Sequence, residues 1–294
     1  MKQKKMHNQN TKQNKFSVIT PCFQAENYIR ETIESVLLNS AVRNKSIELE
    51  YIVCDGGSSD NTISIIEKTF SSFNQKNIKT ILMSEKDLGM YHALSKSLQM
   101  ISGNIISYLN AGDFYSPHCF EIVAELFHVD QIKWLTGLDV VYNQRSHMIY
   151  SALPFCYRKN LIQCGFYNLK TLPHIQQEST FWDSSLNALI DHEKLKRFKY
   201  AGDYYLWKTF SSQEDLYIVE AWLGGFKVHK GQLSSDEDGY NKEMKSITKK
   251  PRLIDFFQMS FDKMIWSRPN IYKKWFNRKT LFSFNHLTQK YESP

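Results

Sequence analysis

From Phe16 to Leu109 the hydrophobic positions switch repeatedly between an alternating and a helical spacing. Phe16-Ser17-Val18-Ile19-Thr20 alternates and is β-branched, which predicts a first strand, and Pro21 stops it. Asn27 is placed to cap a helix over residues 28–39, whose apolar stripe is Ile29, Ile33, Val36 and Leu37. The same alternation then recurs. Strands are expected over residues 49–54, 80–84 and 105–109. Helices are expected after a cap at Ser59 or Asp60, with Ile63, Ile66 and Phe70 on one face, and over residues 90–100. Strand, helix, strand at this spacing predicts consecutive right-handed βαβ units in a doubly wound, mostly parallel sheet.

Beyond Asp113 the pattern is mixed. It suggests a helix over residues 118–127, a strand over 134–142, and a polar stretch flanked by bulk over 172–182. A helix then opens at Gly202-Asp203, and a strand over 216–222 is closed by a Gly224-Gly225 turn. Near the C-terminus Leu253, Phe256, Phe257, Phe261, Met264 and Ile265 keep helical spacing; after Pro269, Tyr272, Trp275 and Phe276 stand among Lys273, Lys274, Arg278 and Lys279. Two readings of this stripe stay open: a helix packed on the domain, or a basic amphipathic element on an anionic membrane. The expected organisation is a disordered basic tail (1–15), one main domain (16–240) and a helical C-terminal extension (241–294).

Composition narrows the field. A hydrophobic fraction of 42% in 294 residues excludes wholesale disorder and supports a sizeable core. No apolar run approaches the roughly 20 residues that cross a bilayer, and residues 1–15 lack the apolar core of a secretory signal. Five cysteines without metal-type spacing fit a thiol-keeping cytosol. The net charge is +7, yet residues 242–294 alone carry twelve Lys/Arg against four Asp/Glu. The main domain is therefore near neutral, which argues against a nucleic-acid face.

The candidate chemistry lies where strands end. Open α/β sheets bind ligands beyond the carboxyl ends of their strands. Asp55 ends the second strand, Asp87 follows the third and Asp113 follows the fourth, in Asn110-Ala111-Gly112-Asp113. Singly, each is a turn or capping residue. On one edge they form a site in which two accept hydrogen bonds from a base or ribose and the third holds a hard cation against a phosphate. The first turn, Pro21-Cys22-Phe23-Gln24-Ala25-Glu26, has no glycine, so a dinucleotide fingerprint is excluded, and no Walker-type loop is present.

Residues 17–26 and Asp55-Gly56-Gly57-Ser58-Ser59-Asp60-Asn61-Thr62 resemble the opening of the family 2 glycosyltransferases of GT-A fold. The resemblance continues through Glu85-Lys86-Asp87-Leu88-Gly89-Met90-Tyr91-His92 and Leu109-Asn110-Ala111-Gly112-Asp113 to residues 174–182 and 201–207. It implies a Rossmann-like, mostly parallel sheet flanked by helices. It further implies that Thr20, Pro21 and Glu26 line a nucleotide pocket, with Asp55 and Asp87 on base and ribose and Lys96 toward the diphosphate. Asp113 would hold Mn²⁺ or Mg²⁺, with Asn110 assisting and His229 as a further ligand. Asp203 would deprotonate the acceptor, and His174, Gln176, Gln177, Glu178, Trp182 and Trp207 would hold sugar hydroxyls or stack on a sugar. One departure stands out: Asn110 and Gly112 replace two acids of the family's Asp-x-Asp-Asp pattern.

The expected activity is inverting transfer of a sugar from a nucleoside-diphosphate donor, UDP-linked, to a glycan or lipid-linked acceptor in surface polysaccharide synthesis. The expected setting is the cytoplasm or the inner face of the plasma membrane. A degenerate glycan-binding protein of the same fold is the non-enzyme alternative. A sugar-1-phosphate nucleotidyltransferase would need a glycine-rich basic loop after the first strand, which is missing.

Overall fold

The computed structural model describes residues 14–129, 131–229, 232 and 236–294. Most of the expected basic tail, residues 1–13, lies outside them. Four parallel strands form the N-terminal half: β1 (Lys15–Cys22), β2 (Glu48–Asp55), β3 (Ile78–Ser84) and β4 (Ile105–Tyr108), ordered β3-β2-β1-β4. Registers such as Val18↔Tyr51 and Val18↔Ser107 set the strand ends level. The crossovers carry α1 (Ile29–Leu37), the short α2 (Ser40–Arg43), α3 (Thr62–Ser71) and α4 (Met90–Leu98).

Alternation sends β1 and β2 side chains to two separate cores. Val18, Tyr51 and Val53 pack with Ile29, Ile33 and Ile66 on one face. Ile19, Ile52 and Cys54 pack with Leu94 and Trp207 on the other. The sequence elements are therefore present with ends shifted by a residue or two. All five cysteines are free.

The second half departs from the sequence reading in three places. After β5 (Phe114–Tyr115) and α5 (Cys119–Leu126), the single strand expected over residues 134–142 is two, β6 (Trp134–Thr136) and β7 (Asp139–Tyr142), in different sheets. The chain turns at Gly137, where a Cβ would stand 2.7 Å from the Ala221 carbonyl and 2.8 Å from Leu223. β7 pairs with β8 (Met148–Ala152), and α6 (Lys159–Gln163) follows. β9 (Phe181–Asp183) lies antiparallel between β4 and β6, joining the halves of the sheet.

After α7 (His192–Leu195), α8 (Gly202–Phe210) and β10 (Tyr217–Val219), the expected Gly224-Gly225 turn is instead a strand, β11 (Gly224–Lys227). It pairs antiparallel with β5 and parallel with β7. Its glycines meet a packing demand: any Cβ at Gly224 would strike the Glu178 carbonyl, and one at Gly225 the Tyr142 ring.

The extension supplies the third difference. It contains α9 (Glu237–Ile247), α10 (Leu253–Trp266) and α11 (Asn270–Phe276), but also β12 (Leu281–Asn285) and β13 (Lys290–Glu292). β12 pairs parallel with β10, and its Leu281 and Phe282 are buried, so this end of the chain completes the main sheet. No helix among the described residues is long and apolar enough to cross a membrane.

One buried acid ties the amino-terminal ends of the strands together. Glu50 accepts hydrogen bonds from Ser17 Oγ (2.7 Å), Ser102 N (2.8 Å), Ser102 Oγ (2.9 Å) and Lys79 Nζ (3.1 Å). Burial raises its pKa, but the bonds from Ser17 and Ser102 outweigh that and leave it below the ordinary value. Glu50→Ala would strand a buried hydroxyl and a peptide N–H. The expected loss is about 2–4 kcal/mol in a denaturant melt. The contribution of Glu50 is present at neutral pH and disappears as pH falls through its lowered pKa, so wild type and variant converge in acid.

Candidate active site

The carboxyl ends of β1 to β4 open onto loops 23–26, 56–61, 85–89 and 110–113, which lie side by side. Asp55 organises the second loop. Its carboxylate accepts from Gly57 N (3.0 Å), Ser58 N (2.9 Å) and Ser84 Oγ (2.8 Å), and from the Ser58 hydroxyl. Asp87 caps Gly89 N (2.8 Å) and lies over Gly56, where a Cβ would be 3.1 Å from its carboxylate. Asp55, Asp87 and Lys96 thus line one small crevice, together with Cys54, Met83, Glu85 and Ala93. Lys96 is ion-paired there with Glu85.

Glu26 accepts from both the backbone and side-chain nitrogens of Asn61 (3.1 and 2.8 Å), joining the first loop to the second. Thr20 corrects the sequence reading. It is fully buried, and its hydroxyl is engaged with Tyr51 (2.9 Å), so it supports the pocket floor and does not line the pocket. Pro21 is likewise buried beside it.

Loop 110–113 is clamped from two sides. Thr32 on α1 receives Gly112 N–H at 2.9 Å and donates to the Asp113 carbonyl at 2.8 Å. Gly112 has φ +109°, and a Cβ there would stand 2.9 Å from Nε2 of His229. The family acid is therefore replaced by glycine at a position that tolerates no side chain. His229 stacks on Tyr28, ring centres 4.3 Å apart, which holds the imidazole against this loop.

Asp113 is 2% exposed and accepts from Lys227 N at 2.8 Å. Its carboxyl lies near that of Glu178. Burial raises the proton affinity of both; the charge of Glu178 adds to this at Asp113, and that of Asp203 adds to it at Glu178. Asn110 donates to Gln177 Oε1 (3.2 Å), while its own Oδ1 is buried with no partner. Two opposed carboxyls beside an unpartnered amide oxygen, with an imidazole nitrogen close by, are hard donors suited to Mg²⁺ or Mn²⁺. Among the described residues no cluster of three or more His, Cys, Asp or Glu is arranged to hold an ion by itself. A cation would therefore also need oxygens from a ligand.

Asp203 stands in the first turn of α8, partly open to solvent. It accepts from Tyr204 N (2.7 Å) and the Tyr240 hydroxyl (3.3 Å). Helix dipole and hydrogen bonds favour the anion, but burial outweighs them and pushes the pKa up to about 6. A group with that affinity is mostly ionised at neutral pH and is more basic than an ordinary aspartate, as a general base requires. Gly202 is needed because the Tyr91 ring lies against its α-carbon. Sequence periodicity offered no sign of Tyr91, Tyr240, Thr32 or Lys227, since each reaches the site across a long stretch of chain.

The stretch 174–182 divides. Gln177 and Glu178 reach the site. Gln176 instead grips the Val140 peptide at both ends (2.9 and 2.7 Å), which fixes the second sheet. His174 is half-buried with Nδ1 unpartnered, and burial lowers its pKa to about 4, so it is neutral. Trp182 and Trp207 are corrections: they are 0% and 1% exposed. Trp207 stacks on Trp134 at 5.7 Å, with Trp182 edge-on, so both are core and have no face to offer a sugar.

Comparison with known proteins gives the family and the fold. The family model described as Glycosyl transferase family 2 matches residues 17–174. The chain is 26% identical over 233 residues to a UDP-Glc:alpha-D-GlcNAc-diphosphoundecaprenol beta-1,3-glucosyltransferase, WfgD of Escherichia coli, covering 77% of this chain and 80% of that protein. It is 34% identical over 234 residues to the minor teichoic acid biosynthesis protein GgaA of Bacillus subtilis, covering 71% of this chain and 50% of that one. Among solved structures it resembles the mannosyltransferase PcManGT of Pyrobaculum calidifontis, solved with GDP-Man and Mn²⁺. The TM-score is 0.56 at 14% identity, covering 90% of this chain and 72% of that one. The fold is GT-A.

The loop geometry has a direct test. Gly112→Ala combines a left-handed backbone with a close approach to His229, so it should lower stability by about 1–3 kcal/mol in thermal melts. Adding His229→Ala should recover only the steric part, leaving the backbone cost.

Proposed function

This chain belongs to the family 2 glycosyltransferases, and from that premise we propose that it moves a sugar from a nucleoside-diphosphate donor, UDP-linked, to a glycan or lipid-linked acceptor in surface polysaccharide synthesis. The observation that carries the reading is Asp203. It is a carboxylate with its pKa raised to about 6, at the same sheet edge as the Asp113–Glu178 pair. The names of WfgD and GgaA support the acceptor class and the pathway.

In this reading Asp55 and Asp87 hold the base and ribose and Lys96 turns from Glu85 to the diphosphate. Asp113 would hold the cation, with Asn110 Oδ1, Glu178 and His229 at its side. A bound Mn²⁺ or Mg²⁺ offsets the charge that gathers on the departing diphosphate. Asp203 does the proton chemistry. As it takes the proton of the acceptor hydroxyl, that oxygen bonds to the anomeric carbon from the face opposite the diphosphate. The carbon–oxygen bond to the diphosphate breaks, and the nucleoside diphosphate leaves with the electron pair. The anomeric centre inverts. Tyr240 and Tyr204 N–H keep the Asp203 carboxylate aimed, and His174, Gln177 and Glu178 border the acceptor. The setting is the cytoplasmic face of the membrane, where a lipid-linked acceptor meets its donor.

Two measurements test this. Asp203→Asn should lower kcat about 10²–10⁴-fold with donor affinity retained, read as UDP release from UDP-sugars. Because the base must be ionised, wild-type activity should fall as pH drops through about 6, and the variant should lose that limb. Unchanged turnover in Asp203→Asn would remove the base assignment. Asp113→Ala should weaken donor binding in Mn²⁺ by about tenfold or more in calorimetry. Equal affinity in the variant, and in wild type under chelator, would overturn the cation site.

A further inference from the structure

The C-terminal helices are amphipathic with the wrong side out for water. On α10 the two acids point inward: Asp255 is 1% and Asp262 0% exposed. Asp262 receives a two-pronged Arg158 guanidinium at 2.8 and 2.9 Å, and Asp255 accepts from Asn160 Nδ2 at 2.7 Å. α11 is pinned in the same way. Its buried Lys273 donates to the Leu153 carbonyl, and Asn277 just beyond donates to that of Phe155, both at 2.7 Å. These polar anchors join an apolar contact in which Ile265 and Trp266 of α10 pack on Phe155, Tyr157 and Tyr167. Of the apolar stripe noted in the sequence, only Ile265 is buried, and Phe257 remains 72% exposed.

The outward face is continuous across the two helices. Phe261 of α10 meets Phe276 of α11 edge-on at 5.6 Å, and Trp275 adjoins Phe276 at 4.6 Å. Trp275 is 61% exposed. Isolated exposed apolar side chains are ordinary, but a contiguous aromatic face marks a surface that is covered in use. A water-exposed helix turns its charges out and its apolar stripe in. Here the two acids of α10 turn inward and most of its aromatic stripe stays outside.

Charge identifies what covers it. Between residues 249 and 279 Asp255 and Asp262 are the only acids, and both face inward. Lys249, Lys250, Lys263, Arg268 and Arg278 are all exposed. A second copy presenting this same face would bring like charges together, which an isologous contact penalises. An anionic lipid surface complements both the aromatic face and its basic surround. The 14 residues of α10 extend about 21 Å, too short to span hydrocarbon, so the element lies in the plane of the interface.

We propose that the outward face of α10 and α11 docks this protein on an anionic lipid bilayer, with Phe257, Phe261, Trp275 and Phe276 in the acyl boundary and the basic residues at the headgroups. The sequence left this stripe open between packing on the domain and lying on a membrane; Ile265 and Phe256 meet the domain, while Phe257 and Phe261 stay exposed. One consequence rests on the transferase reading: α10 follows α9 by five residues, 248–252, and α9 carries Tyr240, the partner of Asp203. Docking would therefore hold the base near the surface from which a lipid-linked acceptor arrives.

The test uses the full chain and vesicles of phosphatidylcholine with and without phosphatidylglycerol, read by co-sedimentation. Binding is expected only with the anionic lipid and should weaken as salt is raised. Phe257→Ser/Trp275→Ser should lower partition about tenfold or more. Both side chains are exposed, so the circular dichroism spectrum and thermal midpoint should be unchanged. Donor turnover with a soluble acceptor or water should also be unchanged, which separates this proposal from the transfer reaction. Absence of binding to anionic vesicles, or binding untouched by the double substitution, would overturn it. So would a dimer in solution that the substitution dissolves without any vesicle binding, since the face would then be a self-interface.

Discussion

Two carboxyl groups held face to face out of water cannot both be ionised without help, and the candidate site is built around that constraint. Asp113 and Glu178 come from segments 65 residues apart in sequence, and burial raises the proton affinity of both, with the charge of Glu178 adding to the shift at Asp113. Their approach is held by main chain and side chains together. Lys227 N–H binds Asp113, the Thr32 hydroxyl clamps loop 110–113, and Gln177 ties Asn110 to the segment that carries Glu178. Such a pair is costly in a purely structural setting, where an apolar substitute would be cheaper. Its presence at the sheet edge supports the proposed site.

The glycines follow from the same crowding. Gly112 gives way to His229, Gly224 to the Glu178 backbone, and Gly202 to the Tyr91 ring. Each allows two segments from distant parts of the chain to meet within van der Waals contact. β11 shows the effect at the level of an element. Two consecutive glycines read as a turn in sequence, yet here they form a strand that neighbours can approach without a side chain between. That strand delivers Lys227 and, two residues on, His229.

Asp203 is held by a different part of the molecule. α9 supplies Tyr240 to its carboxylate and Glu243 to the three backbone N–H groups of Lys199, Tyr200 and Ala201, at 2.8–3.0 Å, where α8 begins. The beginning of the C-terminal extension is thus a support of Asp203, and β12 further on extends the main sheet. Between them lie the two helices whose polar sides face the protein and whose aromatic sides face outward. The extension is bound into the domain at both ends, and the aromatic face of its middle is exposed.

The sequence by itself determined the parallel half of the sheet, because period-two and helical stripes depend on local spacing alone. It also marked Asp55, Asp87, Asp113 and Asp203, since strand ends and helix starts can be read from their neighbours. What it could not decide depended on contacts between residues far apart in the chain. Trp182 and Trp207 look like sugar platforms in a linear reading and are core in three dimensions, because only packing decides which aromatic face meets solvent. The stripe at 253–265 has one periodicity whether it faces a domain or a bilayer; the Arg158–Asp262 and Asn160–Asp255 bonds fix which way the helix is turned. The opposition of Asp113 to Glu178 has no sequence signature at all. It exists because β11 and the stretch before β9 pass beside loop 110–113, and only the tertiary structure brings them there.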